Sequence, residues 1–429
     1  MTVLLVAGAL CAACSEKRPP EGTVGHVEGN FGGVVSDEPR SALVGRDILS
    51  SGGNAIDAVV AMYFAMSVTY PGAASLGGEG VCVVKQSDRE ATVEAIEFPP
   101  LLIHRDGVTV AIPGAVRAMF AMHARYGRLP WSRLVQPAEE LARFGSYVSR
   151  AFARQLAQVP AADFRQQAAR DVFVDRGKVL GEGSVVHQVQ LATVLSAIRV
   201  RGAGDFYTAD LAKRIADGLS SLYRVPVTVA DVRRYAPRWV STARLNIRTN
   251  VLHMPEGAKA EAAIRLWKRV LDGDATAAAG PVATVAGDSA GFAALDIASG
   301  AAACTVGTDG GLRHPRMIGD TGILASGPRP AGEEYPGLPM LVVNVPRKDA
   351  FGAVTATGAA GSALRAVRSA APVFNNDEKP EAALAAAPKL PGARTNLIYC
   401  PTGIGADPNL CRFVVEPGAS GLGVGTGLL

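Results

Sequence analysis

The sequence predicts a layered α/β protein, with helices first and packed hairpins later. Two observations carry the prediction. Helical patterns fill residues 41–68 and much of 113–222, and the last third consists mainly of apolar runs paired around polar turns. Single strands and helices do not alternate as a βαβ sheet would require, so the expected arrangement is layers of helix and antiparallel sheet. With 429 residues, 48% of them hydrophobic, the chain can bury a sizeable core in one large unit or two lobes. Its 48 glycines and 27 prolines imply many tight turns.

The first residues, MTVLLVAGALCAACSEKRPPEGT, read as a targeting leader. The apolar run from Val3 to Ala13 is too short to span a bilayer and is followed by a charged, proline-rich stretch. ALCAAC resembles a bacterial lipoprotein processing site, with Ala12 and Ala13 before a Cys14 that would carry the lipid. It departs from that pattern in having Cys11 where leucine is usual and no basic residue ahead of the run. An ordinary secretory signal cut near Ala13 is the alternative. Both predict export, to the periplasm or the outer-surface side of a bacterial membrane with a lipid anchor, or otherwise by secretion. Residues 15–30 read as a linker.

SALVGRDILSS and NAIDAVVAMYFAMSV predict two helices over 41–68. Asn54 and Asp57 fit an N-cap and its reciprocal partner, and the second helix is apolar nearly all round, which requires burial from both sides. GVCVVK and ATVEAIEF around SDRE predict a hairpin. Helices follow near 113–126, 132–144, 150–157, 187–201 and 208–222, then a short one in EAAIRLWKRVL before an Ala/Gly-rich stretch that reads as a linker. GDSAGFAALDIASGAAACTVGTDGG (287–311) is a hairpin with Ser289 heading its first strand. MLVVNV and AVTATG form another, GSALRAVRSA is helical, and TNLIYC and FVVEP return to strands. The chain shows no internal repeat.

Net charge is only +4, and no basic block interleaves with aromatics, so nucleic-acid binding is not expected. Cys82 and Cys304 sit in apolar strand-like runs, where free thiols act as small core residues. Cys400 and Cys411 flank CPTGIGADPNLC, a spacing that favours a local disulfide in an oxidising compartment, with metal binding the weaker alternative. The six histidines stand apart from any second ligand at metal spacing, and neither a metal nor a cofactor is expected. SLGGEG (75–80) lacks a following Lys-Ser/Thr and reads as a buried turn, not a phosphate loop.

Several stretches resemble the gamma-glutamyltranspeptidase family: GGVVSDEPRSALVGRDILSSGGNAIDAVVAM (32–62), YPGAASLGGEGVCVV (70–84), VAIPGAVRAMFAMHARYGRLPWSRLVQPAEELARFG (110–145), GDFYTADLAKRIADGL (204–219) and, more loosely, DTGILASG (320–327) and VTATGAAGSALRAV (354–367). The resemblance implies a four-layer αββα sandwich of the N-terminal-nucleophile hydrolase type. It divides the chain into a leader (1–14), a linker (15–30), a large-subunit-like half (31–253), a shortened linker region (254–288) and a small-subunit-like half (289–429). In that family the precursor cuts itself before a threonine, which then attacks a gamma-glutamyl amide through its hydroxyl, with its own amine as base. Two glycines supply N–H donors to the oxyanion, and an arginine grips the substrate carboxylate.

Laid over the family motif, Ser289 takes the nucleophile's position, Gly361 and Ser362 the oxyanion pair, and Asp309 and Thr305 the substrate-binding hairpin end. The same overlay puts Gly307 where the family's second threonine stands, Pro99 at the gripping arginine, and Pro330 at the acidic amine-binder. Pro336 and Gly337 replace a pair of serines. A proline cannot replace a bidentate guanidinium, and Arg105 lies off the family's position. The departures point to an uncleaved, inactive protein that keeps the sandwich and serves as a structural or binding subunit with an envelope partner. The alternative is a self-processing amidohydrolase with Ser289 as nucleophile on an altered substrate. A third reading is a secreted protein binding a small molecule in the vestigial pocket.

Overall fold

A computed structural model describes residues 31–87, 92–274, 288–328, 337–358 and 361–426. Alternating apolar residues make most strands two-faced, and the faces sort into two sheets packed on each other. The strands are β1 (Gly32–Ser36), β2 (Glu79–Lys85), β3 (Val93–Phe98), β4 (Arg238–Val240), β5 (Thr242–Ile247), β6 (Asn250–Pro255), β7 (Asp288–Asp296), β8 (Ala301–Thr308), β9 (Leu338–Asn344), β10 (Asp349–Thr357), β11 (Arg394–Tyr399), β12 (Arg412–Val414) and β13 (Leu422–Gly425). One sheet runs β4-β3-β2-β8-β7-β1-β13 and the other β5-β6-β9-β10-β11-β12. All these pairings are antiparallel.

Three apolar clusters define the layers. Between the sheets, Val35, Val83, Ala293, Leu295 and Ala303 meet Leu341, Val343, Ala353 and Ile398. On the outer face of the first sheet, Cys82, Phe292 and Cys304 pack under helices that include α1 (Pro39–Ser50), α2 (Ala55–Thr69), α3 (Ala115–Tyr126) and α4 (Trp131–Phe144). Further helices α5 (Arg150–Leu156), α6 (Val189–Arg201) and α7 (Asp210–Tyr223) extend that layer. Outside the second sheet, Leu252, Met340, Val354 and Leu397 pack against α8 (Ala258–Leu271), α9 (Ser362–Asn376) and α10 (Pro380–Ala386). The order is therefore helix, sheet, sheet, helix, the αββα sandwich expected.

Every residue of α2 is buried, as its all-round apolar sequence requires, and Asn54 and Asp57 form the reciprocal capping box. The hairpin of 287–311 forms with Ser289 opposite Gly307. Because β7 and β8 lie between β2 and β1, the two halves of the chain share one sheet and are not side-by-side lobes. The Ala/Gly-rich stretch of 275–287, the leader with Cys14, and the 15–30 linker lie outside the described residues.

The cysteines need one correction. Cys82 and Cys304 are not free core thiols: β2 and β8 pair with these residues directly opposite, and they form a disulfide. Each strand read alone gave no sign of it, since the partners are 222 residues apart. Cys400 and Cys411 are also joined, across the loop that their spacing marked.

His253 lies on the inward face of β6, opposite in direction to the outward Leu252 and Met254. Its Nδ1 shares a 2.9 Å hydrogen bond with the Thr242 hydroxyl, and its Nε2 is buried without a hydrogen-bond partner among the described residues. Burial, helped by the positive charge of Arg244, lowers its pKa to about 4. Unfolding exposes a histidine that titrates near 6.5, so between those values the unfolded chain holds more protons than the folded one. Stability should thus fall as pH drops from 6.5 towards 4, by up to about 3 kcal/mol from this residue. Urea melts across that range should show the slope, and His253→Leu should flatten it; an unchanged slope in the variant would assign it to other groups.

Candidate active site

At one end of the inter-sheet layer the inward residues change from aliphatic to polar. In β7 the inward series Leu295, Ala293 continues to Gly291 and Ser289, and β8 runs from Ala303 to Thr305 and Gly307. From the second sheet, β10 adds Thr355 and Thr357, and β11 adds Asn396 and Arg394 beyond inward Ile398. Asp37, between β1 and α1, enters this polar end from the side and is almost wholly buried.

The Asp37 carboxylate collects four donors. Oδ2 accepts from the Gly291 N–H at 2.9 Å, the Thr357 hydroxyl at 2.8 Å and Arg394 Nε at 3.1 Å, while Oδ1 accepts from Asn396 Nδ2 at 2.9 Å. Its own N–H donates to the Gly291 carbonyl at 3.0 Å. Arg394 is thereby fixed in orientation. Its Nη2 donates to the Ser289 carbonyl, and its Nη1 has no hydrogen bond to the described residues. Burial works against the guanidinium's charge, but Tyr70, Asp37 and Asp288 more than offset it and raise its pKa above the usual arginine value.

These groups border a cavity of about 180 Å³, whose walls include Asp37, Tyr70, Gln155, Ser289, Gly358 and Arg394. Ser289 Oγ accepts a 2.9 Å hydrogen bond from the Gly358 N–H. Gly358 follows β10 with φ +92°, and a Cβ there would stand 1.8 Å from the Gly392 carbonyl oxygen, so only glycine fits. Gln155 is buried on α5, and its Oε1 has no hydrogen-bond partner among the described residues. Burial raises the Tyr70 phenol above its ordinary pKa. Asp288, next to Ser289, also borders the cavity. Its carboxylate accepts from the Leu312 N–H at 3.2 Å, and burial raises its pKa against the lowering effect of Gln155, Arg313 and Arg394.

Of the residues marked from sequence, Ser289 alone borders this cavity. Thr305 lies one rung deeper, opposite Gly291, with its hydroxyl buried and without a hydrogen bond among the described residues. Asp309 lies past the end of β8, where its N–H meets Ser326 Oγ at 2.9 Å and its carbonyl meets the Gly327 N–H at 2.8 Å. Gly361 and Ser362 stand at the start of α9, and the backbone donor that meets the Ser289 hydroxyl is Gly358. Arg105 pairs with Asp231 at 3.0 Å, away from the cavity. Pro330 and Pro336 lie outside the described residues. SLGGEG is a buried turn, and a Cβ on Gly77 would stand 2.2 Å from the Leu324 carbonyl oxygen.

Sequence reading missed Asp37, Gln155, Gly358 and Arg394. The available signal was alternation: on β11, Arg394 and Asn396 share the inward face with Ile398. Only the opposing sheet shows what those polar groups meet.

The comparisons agree with this architecture. A cephalosporin acylase from Bacillus halodurans has the same fold, with a TM-score of 0.75 at 17% identity over 97% of this chain and 99% of that one. The gamma-glutamyltranspeptidase of Helicobacter pylori is 25% identical, with a TM-score of 0.50 over 59% of this chain and 77% of that one. Among curated relatives, a glutathione hydrolase proenzyme of Escherichia coli (strain K12) is 30% identical over 241 residues, 50% of this chain and 42% of that protein. Glutathione hydrolase 3 of Arabidopsis thaliana is 27% identical over 262 residues, 57% of this chain and 41% of that protein. The matches thus span about two fifths of the length of these relatives. The gamma-glutamyltranspeptidase family model matches residues 41–280, more than half of the sequence, and the chain belongs to that family.

Proposed function

We propose that the chain is a self-processing amidohydrolase with Ser289 as its nucleophile, acting on an acyl group that carries a carboxylate. The observation that carries this reading is the cavity itself: Ser289 Oγ meets a backbone N–H there, beside the positively charged Arg394. Pro99 removes the guanidinium that the resemblance to the family places there. Arg394, on another strand, supplies a guanidinium beside the same serine, and its Nη1 makes no hydrogen bond to the described residues.

No side-chain base touches Ser289 Oγ among the described residues, and this mechanism does not need one. Self-cleavage begins when Oγ attacks the Asp288 carbonyl carbon and its proton passes to the departing Ser289 nitrogen. Water then cuts the resulting ester, leaving an Asp288 carboxylate and a free α-amine on Ser289. That amine is the base for later turnovers: it takes the Oγ proton as Oγ attacks the substrate amide and passes it to the departing amine. Water then hydrolyses the acyl-serine ester to release the acid and restore the hydroxyl.

Gly307 favours a second reading. It stands opposite Ser289 and offers no side chain to assist the hydroxyl, which suits an uncleaved binding subunit. Export, lipid attachment at Cys14 and an envelope partner belong to either reading. Export draws support from the leader-like pattern of residues 1–14 and from two disulfides, which suit an oxidising compartment.

Purified wild-type protein should run as two fragments on a denaturing gel after reduction of the Cys82–Cys304 disulfide that would otherwise join them, one fragment beginning at Ser289, and Ser289→Ala should remain whole. An intact wild-type chain would replace the hydrolase with the uncleaved binding subunit. Gly358→Ala forces a side chain into a left-handed backbone and against Gly392, and should destabilise the protein by about 1–3 kcal/mol in urea unfolding. It should also slow cleavage by displacing the donor on Ser289 Oγ. Unchanged stability together with unchanged cleavage would remove Gly358 from the site.

A further inference from the structure

Beside the cavity at Ser289 lies a second one of about 410 Å³, and the two share Arg154, Gly392, Arg394 and Ala419 as walls. Its far side is formed by the 389–391 turn and by Glu416 to Gly418. Two of its charges are already matched. Arg365 is buried, donating through Nε and Nη2 to the two oxygens of Glu416 and through Nη1 and Nη2 to the carbonyls of Leu384, Ala387 and Pro388. That pair closes the floor and leaves no donor over. Lys389 and Arg154 differ. Both are exposed, Lys389 has no hydrogen bond or ion pair among the described residues, and Arg154 donates only to the Gly418 carbonyl at 2.9 Å. The outer cavity is therefore cationic, with Arg394 between it and Ser289.

We propose that the two cavities form one site for an elongated dianion. One carboxylate sits at Arg394 beside Ser289, and a second anionic group is held between Arg154 and Lys389. Together the volumes suit a ligand of small-peptide size. The inner cavity lies beside the buried, unpartnered Gln155 Oε1, an acceptor suited to an amide N–H of the same ligand. Lys389 and Arg154 then determine specificity, selecting ligands with charge at both ends over those with one. This binding does not require Ser289 to react, so it stands or falls separately from self-cleavage.

The test is calorimetric titration of Ser289→Ala protein with the dicarboxylates from succinate to suberate, each beside the monocarboxylate of equal chain length. At least one dicarboxylate should bind about tenfold more tightly than its monocarboxylate, and added salt should narrow the gap. Lys389→Gln and Arg154→Gln should each weaken that dicarboxylate by about threefold to tenfold and leave the monocarboxylate unchanged. Both positions are exposed, and unchanged melting temperatures would confirm that the variants fold. Equal binding of the two series, or a dicarboxylate preference that survives both substitutions, would overturn the proposal.

Discussion

The site depends on one buried carboxylate. Asp37 lies where the two sheets meet, and a charge removed from water there would cost several kcal/mol if left unpaired. Four donors satisfy it, from β7, β10 and β11 in the two sheets. The same contacts fix the plane of the Arg394 guanidinium, which places Nη2 on the Ser289 carbonyl. Without Asp37, Arg394 would lose both its main counter-charge and its orientation. The carboxylate thus links the packing of the sheets to the position of Ser289.

The site lies at the end of the sandwich because of how the strands alternate. Along most of their length the inward faces carry Ala, Val, Leu and Ile, which bring the sheets together and exclude water. Along β7, β8, β10 and β11, Ser, Thr, Asn and Arg replace them at one end, where the inward residues of these strands coincide. Small residues in that layer leave room for polar contacts: a Cβ on Gly291 would stand 2.5 Å from Thr355 Oγ1. The aliphatic layer supplies rigidity, and the polar end uses it to hold hydrogen bonds at fixed distances.

Much of the fold was legible in the sequence because local signals carry it. The Asn54–Asp57 box, the all-round apolar α2 and the hairpin of 287–311 each need only a short window. The order of the layers came from family motifs that span much of the chain. The disulfide between Cys82 and Cys304 was not legible, because it depends on the register of two strands far apart in sequence. The site was legible only at Ser289. Asp37, Gly358 and Arg394 come from three separate segments and meet through the packing of the sheets, so no local pattern joins them.

This contrast also decides which departures from the family matter. A guanidinium acts through its distance and direction from the substrate, so it can move to another strand if that strand ends at the same cavity. Position 99 therefore says little about function once Arg394 stands beside Ser289. Position 307 says more. Strand register fixes Gly307 directly opposite Ser289, and a hydroxyl there could be replaced only by a group reaching in from another element. Of the inward hydroxyls at this end, Thr357 already donates to Asp37, Thr355 accepts from Asn396 Nδ2, and Thr305 lies a rung deeper, opposite Gly291. At this cavity a guanidinium stands beside Ser289, and the residue opposite that serine carries no hydroxyl. Among the described residues, the Gly358 N–H is the group that meets the Ser289 hydroxyl.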